Sequence, residues 1–105
     1  MTRIIYERDQ YSLHLEGHAG FDQAGADIVC AGVSALTEAL LRQLQRRENW
    51  RVSCGLCRQN ALVRVQLYPC SRRAAQRARA LLETVCGGYL AIAEEYPDYV
   101  KVEVR

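Results

Sequence analysis

The chain is short of most things that would mark other classes of protein. No apolar stretch approaches the roughly 18 residues of a membrane-spanning helix, and the opening MTRIIYERDQ lacks the apolar core of a secretory signal. The expectation is therefore a cytoplasmic protein with no membrane association. No low-complexity tract occurs, and with 50% of residues hydrophobic the composition is not that of a disordered chain. Lysine is nearly missing: Lys101 is the only one, and the rest of the positive charge is arginine. The formal net charge of +2 does not mark a nucleic-acid binder, so direct nucleic-acid binding is not expected. Cysteine occurs five times, at positions 30, 54, 57, 70 and 86. An odd count without a secretory signal argues for reduced thiols over a disulfide framework. A Gly-rich phosphate loop, a zinc-protease helix motif and a Ser–His–Asp signature are all missing from the sequence.

The 105 residues present are enough for one core without metal or disulfide support, so residues 1–105 are read as a single domain. Residues 3–8 and 11–18 read as a hairpin turning near Asp9 and Gln10. In its second arm Tyr11, Leu13 and Leu15 alternate with Ser12, His14 and Glu16, the period of a half-buried strand. Continued further, that strand puts His18 on the polar face with His14. Residues 19–26 have no periodicity and read as a loop hinged at Gly20 and Gly25. A helix follows from about Ile28 to Arg46, with Val29, Val33, Leu36, Leu40 and Leu44 as its apolar stripe and Asp27 as its N-cap. Residues 50–54 and 60–68 read as a second hairpin, with Cys54 to Gln59 around the turn. Pro69 ends it. A second helix from about Ser71 to Glu95 buries Ala74, Ala78, Leu81, Val85, Tyr89 and Ile92, with Gly87–Gly88 as a close packing point or a kink. Pro97 stops it, and residues 99–104 alternate as a last strand. The order ββαββαβ predicts an α+β, two-layer domain: a mixed five-stranded sheet with two helices on one face.

The chemistry concentrates between His18 and Cys30. With Asp27 as cap, Cys30 lies in the first helical turn. Unpaired backbone N–H groups and the positive end of the helix dipole favour the thiolate form of a cysteine there. The same N–H groups are able to hold an oxyanion. A histidine brought alongside acts as base toward the thiol and later as acid toward a leaving amine. Asp27 has two competing roles, helix cap or orienter of the His18 ring. Asp22 is a weaker acid candidate, and His14 reads as a strand surface residue without a role. Phe21 either contacts an apolar substrate residue or packs on its own domain.

The motif GHA at Gly17–Ala19, then Gly25, then DIVCAGVSAL at Asp27–Leu36, with EEY at Glu94–Tyr96, resembles the bacterial ribosomal-processing cysteine protease family Prp, the YsxB-like family. The resemblance covers nearly the whole chain. It implies a cysteine endopeptidase that removes a short N-terminal extension from the twenty-seventh large-subunit ribosomal protein, so that the ribosome matures correctly. It implies His18 as catalytic histidine, Cys30 as nucleophile and Asp27 as the acidic residue of the signature. Ser34 matches a serine close to the nucleophile. Substrate-side candidates are thus Ser34 and the loop residues Gly20, Phe21 and Gly25. The family is dimeric, and its histidine–cysteine loop is thought to order around substrate, so a homodimer is expected. No cofactor and no metal are implied.

Two other readings stand beside this one. Arginines at 46–47, 72–73, 77 and 79 are either solvated helix faces or the contact surface of a non-catalytic ribosome- or RNA-associated protein. Cys54 and Cys57 have C-x-x-C spacing, but four thiolates for zinc would need two chains.

Overall fold

The computed structural model describes residues 1–23, 26–45, 50–57 and 61–105. Five strands and two helices run β1 (Thr2–Glu7), β2 (Ser12–Glu16), α1 (Ile28–Gln45), β3 (Trp50–Cys57), β4 (Leu62–Pro69), α2 (Arg72–Glu95) and β5 (Val100–Val104). The sheet order is β3-β4-β2-β1-β5. Strand β5 lies parallel to β1, and the other pairs are antiparallel. This is the expected mixed five-stranded sheet and the expected ββαββαβ order.

Period-two alternation builds the inner layer. Thr2, Ile4 and Tyr6 of β1 are buried, and Ile4 and Tyr6 lie opposite Leu15 and Leu13 of β2. Leu13 in turn faces Val65 of β4. Each inward residue thus meets another inward residue across the ladder, which fixes the register: a slip of one place would expose the whole set. Helix α1 lays Val29, Val33, Leu40 and Leu44 into this layer. Helix α2 contributes Ala74, Ala78, Leu82, Val85, Cys86 and Tyr89.

The two helices are joined by small residues and one polar contact. A Cβ on Gly88 would come within 2.7 Å of the Leu36 side chain, so the Gly87–Gly88 pair is a packing point inside an unbroken helix. The Thr37 hydroxyl donates to the Val33 carbonyl at 2.8 Å and lies 2.6 Å from the Tyr89 hydroxyl. Burial raises the Tyr89 phenol to about 12, so it is neutral and available for that bond at ordinary pH. Ser71 caps α2, its hydroxyl accepting from the Ala74 N–H at 3.0 Å. The Tyr96 N–H closes the other end on the Ile92 carbonyl, one residue before Pro97.

Two expectations are corrected. Strand β2 ends at Glu16, because Gly17 takes a φ of 86° that an extended strand cannot hold. His18 therefore does not continue the His14 face. Strand β3 runs through Cys57 instead of turning from Cys54, because its pairing with β4 persists to Cys57 opposite Leu62. Pro69 is the last residue of β4 and pairs with Trp50, where a missing N–H is least costly. The expected helix end at Arg46 and the cluster Arg46–Arg47 lie outside the described residues, as do the hairpin residues 58–60 and Gly25.

Candidate active site

The segment before the cleft is held at three places in succession. Gly17 is folded against the first residues of β1: a Cβ there would fall onto the main-chain carbonyl oxygen of Met1. Its own carbonyl accepts from the Thr2 hydroxyl at 3.2 Å. Two residues on, Ala19 is buried in the core. His18, between them, is exposed. A fixed backbone on either side of a solvent-facing imidazole is what a proton-transferring histidine needs.

Asp27 opens α1. Its carbonyl accepts the first helical hydrogen bond, from Ala31, at 3.0 Å. Its carboxylate is shared: Oδ1 accepts from the Cys30 N–H at 2.9 Å, and Oδ2 accepts from the Phe21 N–H at 3.0 Å. The first is an N-cap bond to the third helical residue, which satisfies a donor otherwise left orphaned. The second ties the preceding loop to the helix. These amide donors, the Cys30 N–H foremost, hold the carboxyl below the usual carboxylate range. Of the two roles open in the sequence, the geometry in this state is that of a cap. It also occupies the Cys30 N–H, one of the first-turn groups expected to face an oxyanion.

His18 and Cys30 line one cleft of about 350 Å³ between α1 and the β3–β4 hairpin. Ser34, one turn after Cys30, lines it as well, and Val33, Leu41, Leu56 and Leu62 give it apolar walls. Cys30 is half-buried. A thiol, an imidazole and a hydroxyl on one apolar-walled cleft suit nucleophilic attack on an extended peptide.

The remaining candidates fall elsewhere. The Phe21 ring does not line this cleft; it packs edge-on against Tyr96 at 5.3 Å and Tyr99 at 5.2 Å. Gly20 takes a φ of 74°, consistent with a hinge position. Asp22 accepts from the next residue's N–H, on Gln23, at 2.7 Å. On the sheet face away from the helices, His14 lies 3.3 Å from both Glu16 and Arg64. Cys54 and Cys57 are three places apart on one strand, so their side chains leave opposite faces. Their Cα atoms are then about 10 Å apart, beyond disulfide reach. No group of three or more metal-ligating side chains occurs among the described residues.

Sequence reasoning overlooked Leu56, Cys57 and Leu62 as cleft residues. The alternation Val52, Cys54, Leu56 was the signal that the strand continued to the cleft.

No curated protein matches the chain. Among solved structures, Staphylococcus aureus ribosomal processing protease Prp with a covalently linked product peptide superposes with a TM-score of 0.86 at 19% identity, covering 100% of both chains. The same protease with a substrate peptide gives 0.80, also at 19% identity and 100% coverage of both. SMU.848 from Streptococcus mutans gives 0.76 at 27% identity, covering 98% of this chain and 90% of that one. These likenesses establish the fold. The family model for cysteine protease Prp matches residues 1–101, and on that match the chain belongs to the Prp cysteine protease family.

Proposed function

We propose that the protein is a cysteine endopeptidase that removes the N-terminal extension of a large-subunit ribosomal protein, the twenty-seventh, during ribosome maturation in the cytoplasm. The observation that carries this reading is the shared cleft of His18 and Cys30 at the start of α1. The Cys30 Sγ attacks the scissile carbonyl carbon while His18 takes the thiol proton. The tetrahedral oxyanion collapses, His18 passes the proton to the departing amine, and a thioester remains on Cys30. Water, deprotonated by His18, then attacks the thioester, and the new carboxylate leaves as the thiol is restored. Ser34, which lines the cleft, borders the bound substrate, while the Phe21 ring stays packed on its own domain against Tyr96 and Tyr99. The described helices agree with a water-exposed setting so far as none is long and apolar enough to cross a membrane.

The test is incubation with a ribosomal protein carrying its N-terminal extension, read by intact mass. A single cut near the N-terminus is expected. An uncut substrate under reducing conditions would overturn the reading.

Asp27 acts in this scheme as a positioning residue. Asp27→Asn retains one acceptor for the Cys30 N–H, whereas Asp27→Ala retains none. We expect kcat/KM to fall more for alanine than for asparagine. Equal inactivity would instead mark a carboxylate whose charge orients the His18 ring, which neither variant supplies. Because folding lowers the Asp27 carboxyl, its contribution to stability is present above the usual carboxylate range. It is lost as pH falls through the lowered value. The melting temperature of Asp27→Asn should accordingly fall less steeply in acid than that of the native protein.

The protein is further proposed to work as a homodimer. Strand β3 is a sheet edge with Val52 and Leu56 exposed on one face, and such apolar edges are normally covered. Sedimentation equilibrium should give a dimer for the native chain and a monomer for Val52→Lys; a monomeric native chain would rule this out.

A further inference from the structure

The cleft holds a charged group that the cleavage chemistry does not use. Its described lining residues include no lysine or arginine and one carboxylate, that of Glu38. The period of α1 puts it there. Cys30, Ser34 and Glu38 follow one another at intervals of four, so they run down one face of the helix, and all three line the cleft. Leu41, a turn further on, continues that wall, and Leu56 and Leu62 of the β3–β4 hairpin line the same cleft.

The spacing sets a scale. From Cys30 to Glu38 the helix rises about 12 Å, and an extended peptide advances about 3.4 Å per residue. A substrate laid along α1 with its scissile carbonyl at Cys30 therefore brings the third or fourth residue from the cut to Glu38.

The carboxylate is open to a new partner. Arg42 donates from Nε to Oε1 at 3.1 Å, while Oε2 accepts no hydrogen bond among the described residues. The Arg42 side chain is 75% exposed and does not line the cleft, and that of Glu38 is 61% exposed. A pair so well solvated contributes little, so a cation arriving from the cleft adds to it or replaces it at small cost. A lysine or arginine fits both features of the position: its aliphatic stem suits the leucine walls and its charged head the carboxylate. An apolar residue there would take water from the carboxylate without giving it a partner, and an acidic one would be repelled.

We propose, resting on the protease reading and extending it, that Glu38 is a specificity-determining residue. It receives a lysine or arginine of the substrate three or four positions from the scissile bond. A substrate destined to bind ribosomal RNA is rich in such residues, because neutralising phosphates requires them. Glu38 takes no part in making or breaking bonds; it selects which peptide is seated over Cys30.

The experiment uses short peptides spanning the cut in the extended ribosomal protein, with Lys, Gln or Glu placed singly at the third and fourth positions on either side. The constants kcat and KM are measured for the native protein, Glu38→Gln and Glu38→Lys, and peptides are compared as ratios within one protein, so that any loss of folded material cancels. For the native protein, the lysine peptide should exceed the glutamine peptide about fivefold in kcat/KM at one of these positions. The difference should lie in KM, because the contact is remote from the reacting atoms, and it should shrink as salt is raised. In Glu38→Gln the preference should vanish, and in Glu38→Lys the glutamate peptide should become the preferred one. A lysine preference that survives in Glu38→Gln would overturn the proposal. Cleavage of every peptide without preference would also overturn it, leaving Glu38 as the helix-surface partner of Arg42 and the protease reading intact. No cleavage of any peptide by the native protein would overturn both.

Discussion

Cys30→Ala is expected to bring cleavage of the extended ribosomal protein below detection, a loss of roughly 10⁴-fold or more. The thiol is the only group in the proposed scheme that bonds to substrate, and no neighbouring side chain replaces it. Ser34 lines the same cleft, but a serine hydroxyl is a weak nucleophile without a base aligned on it. The fold should survive, because Cys30 is half-buried in the first turn of α1 and alanine is the best helix former. His18→Ala should be comparably inactive and comparably folded, since the imidazole is exposed and leaves no cavity. The pair is checked by intact-mass assay alongside thermal unfolding. Normal processing by folded Cys30→Ala would end the proposal of a thiol protease acting through this residue.

The second large effect is expected at Gly17, a residue with no reactive group. Gly17→Ala forces a side chain into a φ of 86°, a left-handed conformation that costs a non-glycine residue of order 1–3 kcal/mol. The new methyl also meets the Met1 carbonyl, which is main chain and cannot swing aside. For a domain of this size the penalty corresponds to a fall in melting temperature of roughly 5–20 °C. Activity should fall further than the folded fraction accounts for, because relief of the clash moves the backbone that carries His18. The measurement is kcat/KM well below the melting point, compared with the unfolding curve. Native stability together with native activity would show that the glycine is not what holds the histidine.

Much of the fold was legible because its inward faces repeat simply. Leu13 and Leu15, or Val65 and Leu67, alternate with polar residues, and a strand buried on one face must do this. The caps were legible for a local reason: Asp27 and Ser71 satisfy N–H groups three residues ahead of them. Features that depend on distant neighbours were not legible. The turn at Gly17 follows from the position of Met1 and Thr2, which no local pattern reports. The extension of β3 past Gly55 follows from its partners in β4, which outweigh the weak strand preference of glycine. Helical spacing in α2 puts Leu81 and Ile92 in the core, whereas Leu82 and Cys86 are the more deeply buried. Neighbouring positions on one helical face differ by the tilt of the helix on the sheet, which spacing alone does not give. At the candidate site, the motif singles out His18, Cys30 and Asp27, but not the Phe21 amide that donates to the second oxygen of the Asp27 carboxylate.

That division of one carboxylate between two backbone amides has a kinetic consequence. Phe21 and Cys30 belong to different elements, yet their N–H protons are protected by opposite oxygens of the same side chain. A rotation of Asp27 that frees one loosens the other. Isotope exchange at the two amides should therefore be synchronous, reporting a single opening event in which the loop detaches and the nucleophile's own N–H becomes available to solvent or to a reacting carbonyl.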